Sequence, residues 1–190
     1  MEATLPEKAR QFMTRQDWVV LDTETTGKNA NAPDTEIVEI VILDHQGVPL
    51  LNTLVKPTRP IPANATDIHG ITDAMVATAP TFPEIFPTIA NLLKDKVVIV
   101  FNADYDIALI ENLSTRHNLG FWYCESWCLM RAYADYWKAP GRFRRSGGYA
   151  WQSLGRACEQ QHITLTDAHR ALGDTLATWT LLHKLAESEG

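Results

Sequence analysis

The segment Val19–Gly27, V-V-L-D-T-E-T-T-G, joins an apolar run of the kind that forms a strand to two acidic residues. Asp22 and Glu24 are two residues apart, so in an extended chain their side chains project from the same face. Two carboxylates held close together repel each other, and a bound divalent cation relieves this repulsion. The pattern also fits a polar turn that follows the strand and closes at Gly27. Taken alone, the segment leaves both a metal site and a plain turn open.

Length and composition restrict the class of protein. The 190 residues fit one domain with a substantial core, and 45% of them are hydrophobic. No apolar run approaches the roughly 20 residues needed to span a bilayer, so we expect no membrane association. The charged N-terminus also lacks the apolar stretch of a secretion signal. The net charge of −6 argues against a protein that coats nucleic acid by bulk electrostatics, although bound metal ions can offset negative charge locally.

The cysteines point to a reducing compartment. Cys124, Cys128 and Cys158 form an odd set without a disulfide framework. Cys124 and Cys128 lack a nearby pair of Cys or His that could complete a zinc site. We therefore expect buried or unused thiols in a cytoplasmic protein.

The order of the predicted strands indicates an α/β chain. Strands are predicted over Asp17–Glu24, Glu36–Asp44, Val48–Lys56, Val97–Phe101 and, as a short edge strand, within Phe121–Cys128. The second and third are joined across the Gln46–Gly47 turn, and together the first three are predicted to form an antiparallel meander. The run Val97–Phe101 is continuously apolar, which is typical of a strand buried on both faces. Because strands come first and then alternate with helices, we expect a mixed five-stranded sheet, with parallel strands beside the meander, flanked by helices.

Apolar residues at helical spacing predict the helices. They cover residues 1–16, Thr81–Lys94, Ile107–His117, a segment that follows the edge strand and runs through Tyr136, Trp151–Gln160 and about Ala168–Glu187. Pro57–Asn64 contains three prolines and is predicted to be irregular. Thr72 is expected to cap a short helix, and Pro87 to disturb the opening turns of its own helix.

Two more acids and one histidine extend the first pair. Asp106 comes just after the buried strand, and Asp174 lies in the last helix, preceded by His169. Four carboxylates and a histidine form the inventory of a two-metal hydrolytic site, because Mg²⁺ and Mn²⁺ prefer carboxylate oxygens. Two such ions about 3.5–4 Å apart can stabilise the attacking and leaving oxygens of a phosphodiester. His169 can serve as the base, because an imidazole titrates near neutral pH.

Three segments of the chain resemble a known family. D-T-E-T-T-G (22–27), N-A-D-Y-D (102–106) and H-R-A-L-G-D (169–174) are similar to the three motifs of the DEDDh 3′→5′ exonucleases, a group that includes the proofreading epsilon subunit of bacterial DNA polymerase III. I-H-G-I-T (68–72) also stands where that group has it. The resemblance covers residues 17–187 and implies a ribonuclease H-like fold. It divides the chain into an N-terminal extension, residues 1–16, and an exonuclease domain, residues 17–190.

The resemblance also implies the roles of the site residues. Asp22, Glu24, Asp106 and Asp174 would hold two divalent cations, with His169 as the general base. His169 and Asp174 are five residues apart, so on a regular helix they would face about 140° apart. We therefore expect His169 on the first turn of the last helix or in the loop before it.

Contacts with the substrate form a separate set of predictions. The resemblance implies that Thr25, Thr26, His69 and Asn102 border the 3′-terminal nucleotide, although each can instead stabilise its own turn. The loop Lys138–Tyr149 carries Arg142, Arg144 and Arg145 among aromatic residues, a composition that suits a single strand or a merely solvated loop. Lys28 stands where relatives often place an apolar residue that wedges under the terminal base.

The sequence thus predicts a metal-dependent 3′→5′ exonuclease that releases nucleoside 5′-monophosphates from a single-stranded or frayed end, with DNA favoured over RNA. One alternative is the same chemistry on RNA, as in ribonuclease T or oligoribonuclease. Another is a catalytically silent nucleic-acid-binding module on the same fold, against which the complete set of acids and His169 argues. The chain ends soon after the last predicted helix, without the extended tail by which the epsilon subunit reaches its polymerase. We therefore expect no stable polymerase partner.

Overall fold

A five-stranded mixed sheet forms the centre of the computed structural model, which describes residues 3–120, 123–138, 149–165 and 169–188. The strands are β1 (Trp18–Thr25), β2 (Ile37–Asp44), β3 (Pro49–Leu54), β4 (Val97–Val100) and β5 (Glu125–Cys128). They lie in the order β3-β2-β1-β4-β5. β1 pairs antiparallel with β2 and parallel with β4, and β4 pairs parallel with β5. The predicted fold class and the antiparallel meander are confirmed.

Helices cover both faces of the sheet. They are α1 (Leu5–Met13), α2 (Ala63–His69), α3 (Asp73–Val76), α4 (Phe82–Leu93), α5 (Ala103–Arg116), α6 (Leu129–Trp137), α7 (Leu154–Gln160) and α8 (Ala171–Glu187). None of the described helices combines the length and the apolar character needed to cross a membrane. All three cysteines are free thiols.

Alternation along β1 separates two cores. Val19 and Leu21 pack with α4 and α5 on one face, whereas Trp18 and Val20 pack with α1, α6 and α8 on the other. β1 is therefore buried on both faces, and the position of its polar end is fixed by helices packed on both sides of the sheet. Leu5 and other apolar residues of α1 belong to the second core. The division of the chain at residue 16 stays a prediction.

Proline caused two of the differences from the sequence prediction. The segment Pro57–Asn64, predicted as irregular, leads directly into α2, with Pro62 as its N-cap in an extended backbone (φ −60°, ψ 141°). Proline is tolerated there because a helix start does not use that backbone N–H. Pro87 lies inside α4 without ending it. The start of α4 is held by the Thr81–Glu84 capping box, and five of its side chains are buried.

Two of the helix starts that moved relative to the predictions matter for the site. α5 begins at Ala103 rather than at Ile107, so Asp106 lies in its first turn. α8 begins at Ala171, which leaves His169 in the loop before it. Thr72 is the N-cap of α3, as predicted, although its side chain makes no capping hydrogen bond.

Gly47, in the turn between β2 and β3, gives a test of the packing on α8. Its φ is +78°, and a Cβ there would lie 3.1 Å from the Trp179 ring. Gly70 has a similar φ of +72° but open space around it. We expect Gly70→Ala to lower the free energy of unfolding by about 1 kcal/mol through backbone strain, and Gly47→Ala by about 2 kcal/mol because the ring must also move. Urea unfolding measures both, and equal losses would contradict the close approach to Trp179.

Candidate active site

Three of the predicted metal ligands meet at the end of β1. Even-numbered side chains of β1 pack toward α8, and Asp22 and Glu24 continue this series. Asp174 lies in the first turn of α8. One carboxylate oxygen from each of these acids lies within 4.8 Å of the other two. The fold therefore gathers ligands from two distant segments into what we call the three-acid cluster.

The fourth predicted ligand, Asp106, comes from the opposite layer. It is only 5% exposed, in the first turn of α5. Its Oδ1 accepts a 2.6 Å hydrogen bond from Thr23 Oγ1, which projects from the other face of β1. In the described part of the chain Asp106 is not a member of the three-acid cluster. It nevertheless lies near enough to raise the pKa of Asp22 by repulsion.

Burial and repulsion raise the pKa values of these acids. For Asp22, loss of solvation is the largest cause, followed by repulsion from Asp106 and then Asp174. The pKa of Glu24 rises to about 8, mainly through burial and then through Asp174. Burial also raises the pKa of Asp106 to about 7, against the hydrogen bond from Thr23. Without a cation, such a site holds protons near neutral pH.

The donor set of the cluster fits a divalent cation. Carboxylate oxygens are the hard ligands that Mg²⁺ and Mn²⁺ prefer. A cation held by Asp22, Glu24 and Asp174 would replace the bound protons and offset the repulsion. No other group of three His, Cys, Asp or Glu side chains lies as close together among the described residues.

His169 lies at the rim of this cluster. It precedes α8 with a φ of 65°, a region that non-glycine residues seldom adopt, and its side chain is exposed. Burial raises the pKa of Asp174, and the His169 charge and backbone N–H both oppose that rise. Of the two positions predicted for His169, the first turn of the helix and the loop before it, the structure shows the loop. The imidazole therefore does not have to share a helix face with Asp174.

A cleft of about 320 Å³ opens beside the cluster. One wall is the turn after β1, which includes Lys28, and the other is α2, which the sequence did not predict. Glu24 belongs both to the cleft and to the cluster. Ile68 of α2 lines the cleft and is 41% exposed, so it offers an apolar surface to a ligand. A larger cavity of about 640 Å³ opens at the other end of β1, near Trp18, away from these acids.

His69, at the end of α2, lines the cleft and is 4% exposed. Its Nδ1 accepts a 3.0 Å hydrogen bond from the Ile71 N–H, so Nε2 carries the proton of the neutral ring. Nε2 is buried, and among the described residues the nearby Thr25 backbone approaches it without forming a hydrogen bond of good geometry. Burial lowers the pKa of His69, and the neighbouring Thr25 backbone opposes this. A ligand in the cleft could satisfy this donor.

Thr25 and Tyr105 form a hydroxyl pair on the cleft wall. Thr25 Oγ1 donates to the Gly27 carbonyl at 2.8 Å and lies 2.7 Å from the Tyr105 hydroxyl. Tyr105 also donates to the same carbonyl. Tyr105 precedes Asp106 in α5, so this network ties the turn after β1 to the helix that carries the fourth acid.

Thr26 and Asn102, the other two predicted nucleotide contacts, differ in whether their side chains already form hydrogen bonds within the protein. Thr26 is 7% exposed, and its hydroxyl donates to the Asp34 carbonyl and accepts from the Glu36 N–H. Asn102 is exposed, lines the cleft and makes no side-chain capping bond to α5. Thr26 therefore holds its own loop, whereas the Asn102 amide is available. Arg142, Arg144 and Arg145 lie outside the described residues.

Sequence reasoning missed Glu39, a buried acid in β2. Its carboxylate accepts hydrogen bonds from Arg170 and from the Ala171 N–H at the start of α8. The signal was present, because a glutamate inside the apolar run Glu36–Asp44 needs a buried partner. The partner, however, is 131 residues away and could not be chosen from the sequence.

The sheet topology and the converging acids define a ribonuclease H-like nuclease. The family model described as Exonuclease (RNase_T) matches residues 19–182. The chain belongs to this exonuclease family, which confirms the resemblance drawn from the motifs.

Two curated relatives extend this match. The chain is 42% identical over 192 residues to the uncharacterized exonuclease CP81 of Escherichia phage 186, covering 97% of this chain and 95% of that protein. It is 33% identical over 184 residues to the DNA polymerase III subunit epsilon-like protein of Rhodobacter capsulatus, covering 93% of this chain. The chain spans only 24% of the length of that second relative.

Two solved structures share the fold. Exonuclease X, in complex with 5′-overhanging duplex DNA, has a TM-score of 0.63 at 26% identity, covering 88% of this chain and 90% of that chain. The nuclease domain of 3′hExo, a DEDDh family member bound to rAMP, has a TM-score of 0.67 at 19% identity, again covering 88% and 90%. The second likeness is evidence for the fold alone.

The raised pKa of Glu24 predicts a pH-dependent stability of the metal-free protein. Its folded-state pKa is about 8 against an ordinary 4.5, so the folded state binds more protons between these values. The free energy of unfolding therefore decreases as pH rises through this window. In EDTA, Glu24→Gln should flatten the fall in Tm between about pH 5 and about pH 9. Mn²⁺ should raise the Tm of the wild type near the upper pH and have less effect on the variant.

Glu111→Gln is the matched control for this prediction. Glu111 is an exposed glutamate of α5, so its replacement should leave the pH dependence of Tm unchanged. A Glu24→Gln variant with the same pH dependence as the wild type would contradict the raised pKa.

Proposed function

We propose that this protein is a metal-dependent 3′→5′ exonuclease that releases nucleoside 5′-monophosphates from a single-stranded or frayed DNA end. The observation that carries the proposal is that Glu24 belongs both to the three-acid cluster and to the adjoining cleft. A phosphodiester at the cluster leaves one nucleoside in the cleft, whose volume of about 320 Å³ lies at the lower end for small-molecule pockets. Room for one nucleotide favours removal from a strand end.

Four carboxylates hold the cations in this proposal. Asp22, Glu24 and Asp174 form the tight cluster, and Asp106 approaches from α5. Two bound Mg²⁺ or Mn²⁺ ions would stabilise the charge that develops on the attacking and leaving oxygens. The protein contributes rigid supports, because β1 is buried on both faces and each helix brings one acid.

His169 accepts the proton of the attacking water. It is exposed on the loop that leads into α8, and its influence on the pKa of Asp174 indicates that it lies beside the cluster. An imidazole suits this role because it titrates near neutral pH.

The cleft binds the terminal nucleoside. Ile68 supplies the apolar surface for the base, in place of the wedge residue that Lys28 replaces. His69 Nε2 is the buried donor that a polar atom of the nucleotide satisfies. Asn102 and the Thr25 hydroxyl line the same wall, while Thr26 shapes the turn from behind.

Strand binding outside the cleft is assigned to Arg142, Arg144 and Arg145. Their charges would neutralise phosphates that lead away from the scissile bond. The protein has a net charge of −6, so such a basic segment would have to supply the local attraction for a strand. The proposal needs no polymerase partner, and the cytoplasmic location stays a prediction.

DNA is favoured over RNA by two of the comparisons. Exonuclease X was solved with DNA, and the Rhodobacter relative carries the name of a DNA polymerase subunit. The alternative is the same chemistry on RNA, because a 2′-hydroxyl is sensed by the shape and polar groups of the cleft. A catalytically silent binding module is disfavoured, since binding alone gives no reason to gather mutually repelling acids.

End-labelled strands test the proposed function. With Mg²⁺, a 5′-labelled DNA strand should shorten stepwise from its 3′ end, and a 3′-labelled strand should release a labelled 5′-monophosphate at once. RNA of the same sequence should be degraded more slowly. EDTA should remove nearly all activity because it takes away the cations. Asp22→Asn or Asp106→Asn should do the same because the cations lose a carboxylate ligand.

Asp104→Asn is the control for Asp106→Asn. Asp104 lies two residues earlier on α5, is exposed and pairs with Arg131, so its replacement should keep wild-type activity. Full hydrolysis in EDTA would overturn the metal mechanism. Binding of both strands without hydrolysis would favour the silent module.

A separate prediction concerns the base. His169→Ala should lower kcat by about 10²–10⁴-fold, the usual contribution of general-base catalysis, while Mn²⁺ affinity by calorimetry is retained. His162→Ala is the matched control, since His162 is also exposed and has a φ of 56°. If His169→Ala turns over like His162→Ala, another group accepts the proton, and His69 is the next residue to replace.

A further inference from the structure

Glu39 is a buried carboxylate that the proposed reaction does not use. Only 3% of it is exposed, and it lies opposite Glu24 in the register of β1 and β2. Its charge repels the neighbouring acids and raises the pKa values of Asp22 and Glu24. The purpose of an acid that repels the site in this way lies in its other contacts.

The contacts of Glu39 supply that purpose. Arg170 donates from Nε to Oε2 at 3.1 Å and from Nη2 to Oε1 at 2.5 Å. The Ala171 N–H donates to Oε2 at 2.9 Å. Arg170 is the N-cap of α8, and its own side chain does not cap the helix. Glu39 therefore caps α8 from the neighbouring strand and places a negative charge at the positive end of the helix dipole.

This contact fixes the segment between the base and a metal ligand. His169 directly precedes Arg170 and has the uncommon φ of 65°. The Asp174 N–H donates to the Arg170 carbonyl at 3.0 Å and closes the first turn of α8. A shift of the Arg170 backbone therefore moves both His169 and Asp174 relative to β1. The left-handed backbone at His169 also needs support from its surroundings.

We propose that Glu39 and Arg170 are positioning residues that hold His169 at the distance from the three-acid cluster that the chemical step requires. This inference rests on the proposed function, because that function makes His169 the base. Glu39 acts without touching the substrate. The effect is large enough to measure, since a displacement of about 1 Å in a catalytic group can cost on the order of 10²-fold in rate.

The test compares Glu39→Gln with Glu36→Gln in the hydrolysis of labelled single-stranded DNA with Mg²⁺. Both glutamates are buried, but the Glu36 carboxylate accepts hydrogen bonds from Thr58 instead of from α8. We expect Glu39→Gln to lower kcat by about 10–100-fold and to change KM by less than about 3-fold. The comparison uses saturating Mg²⁺, so that a change in metal affinity caused by the lost Glu39 charge does not contribute to kcat. Glu36→Gln should keep the wild-type kcat.

Substitutions of Arg170 provide a second route, because its side chain is 41% exposed and belongs to neither of the two large hydrophobic clusters. Arg170→Met should lower kcat, and Arg170→Lys should recover part of the loss, since lysine keeps the charge but not the two-point contact. The double variant Glu39→Gln/Arg170→Met should lose less than the product of the single losses, because both residues act through one contact. Independent losses would contradict the shared contact.

Histidine NMR separates this inference from the proposed function. With ¹³C-labelled histidine, the His169 ring signals, assigned by their loss in His169→Gln, should shift in Glu39→Gln and stay unchanged in Glu36→Gln. If the wild type hydrolyses DNA while Glu39→Gln keeps its kcat and its His169 signals, the positioning role is wrong and the proposed function stands. A kcat loss that disappears at saturating Mg²⁺ would also overturn the role. If the wild type hydrolyses nothing, the proposed function fails, and the inference fails with it because the positioning role refers to that chemical step.

Discussion

Repulsion among acids at the end of β1 is the constraint on which the rest of the structure depends. Three carboxylates have oxygens within 4.8 Å of one another, and burial raises their pKa values further. Nothing within such a group holds it together without protons or a cation. The surrounding fold must therefore impose the arrangement, which it does by burying β1 on both faces and packing helices against each side.

The two-layer architecture also explains why the acids differ. Asp174 reaches the cluster from α8, whereas Asp106 comes from α5 on the opposite face and meets Thr23 first. Side chains from α5 and α8, on opposite faces of the sheet, can approach each other only beyond Val20 and Leu21, the last apolar residues of β1. The end of a central strand is therefore where such a site can form, and the cleft adjoins it because Glu24 and the turn after β1 line the cleft.

Sequence patterns foretold the framework of the site better than its surroundings. An apolar run predicted β1, and the two-residue spacing of Asp22 and Glu24 predicted their shared face. The five-residue spacing to Asp174 predicted that His169 lies on the first turn of the last helix or before it. The helix α2 was missed because a proline-rich segment looks irregular, although Pro62 is an acceptable N-cap. The Glu39–Arg170 contact was missed because tertiary pairing across 131 residues leaves no local pattern.

The acids near the end of β1 separate into two kinds according to what satisfies their charge. Glu39 is matched by Arg170 and by a helix N-terminus, and Asp106 receives the Thr23 hydroxyl. No described residue donates a side-chain hydrogen bond to the carboxylates of Asp22 or Glu24, whose charges are left for a partner from solution. An acid whose charge the chain itself neutralises can fix geometry, whereas an acid left without such a partner can bind a cation. Glu39 and Glu24 lie opposite each other on adjacent strands. Because Arg170 pairs with Glu39, Glu39 fixes geometry while Glu24 is left to bind a cation.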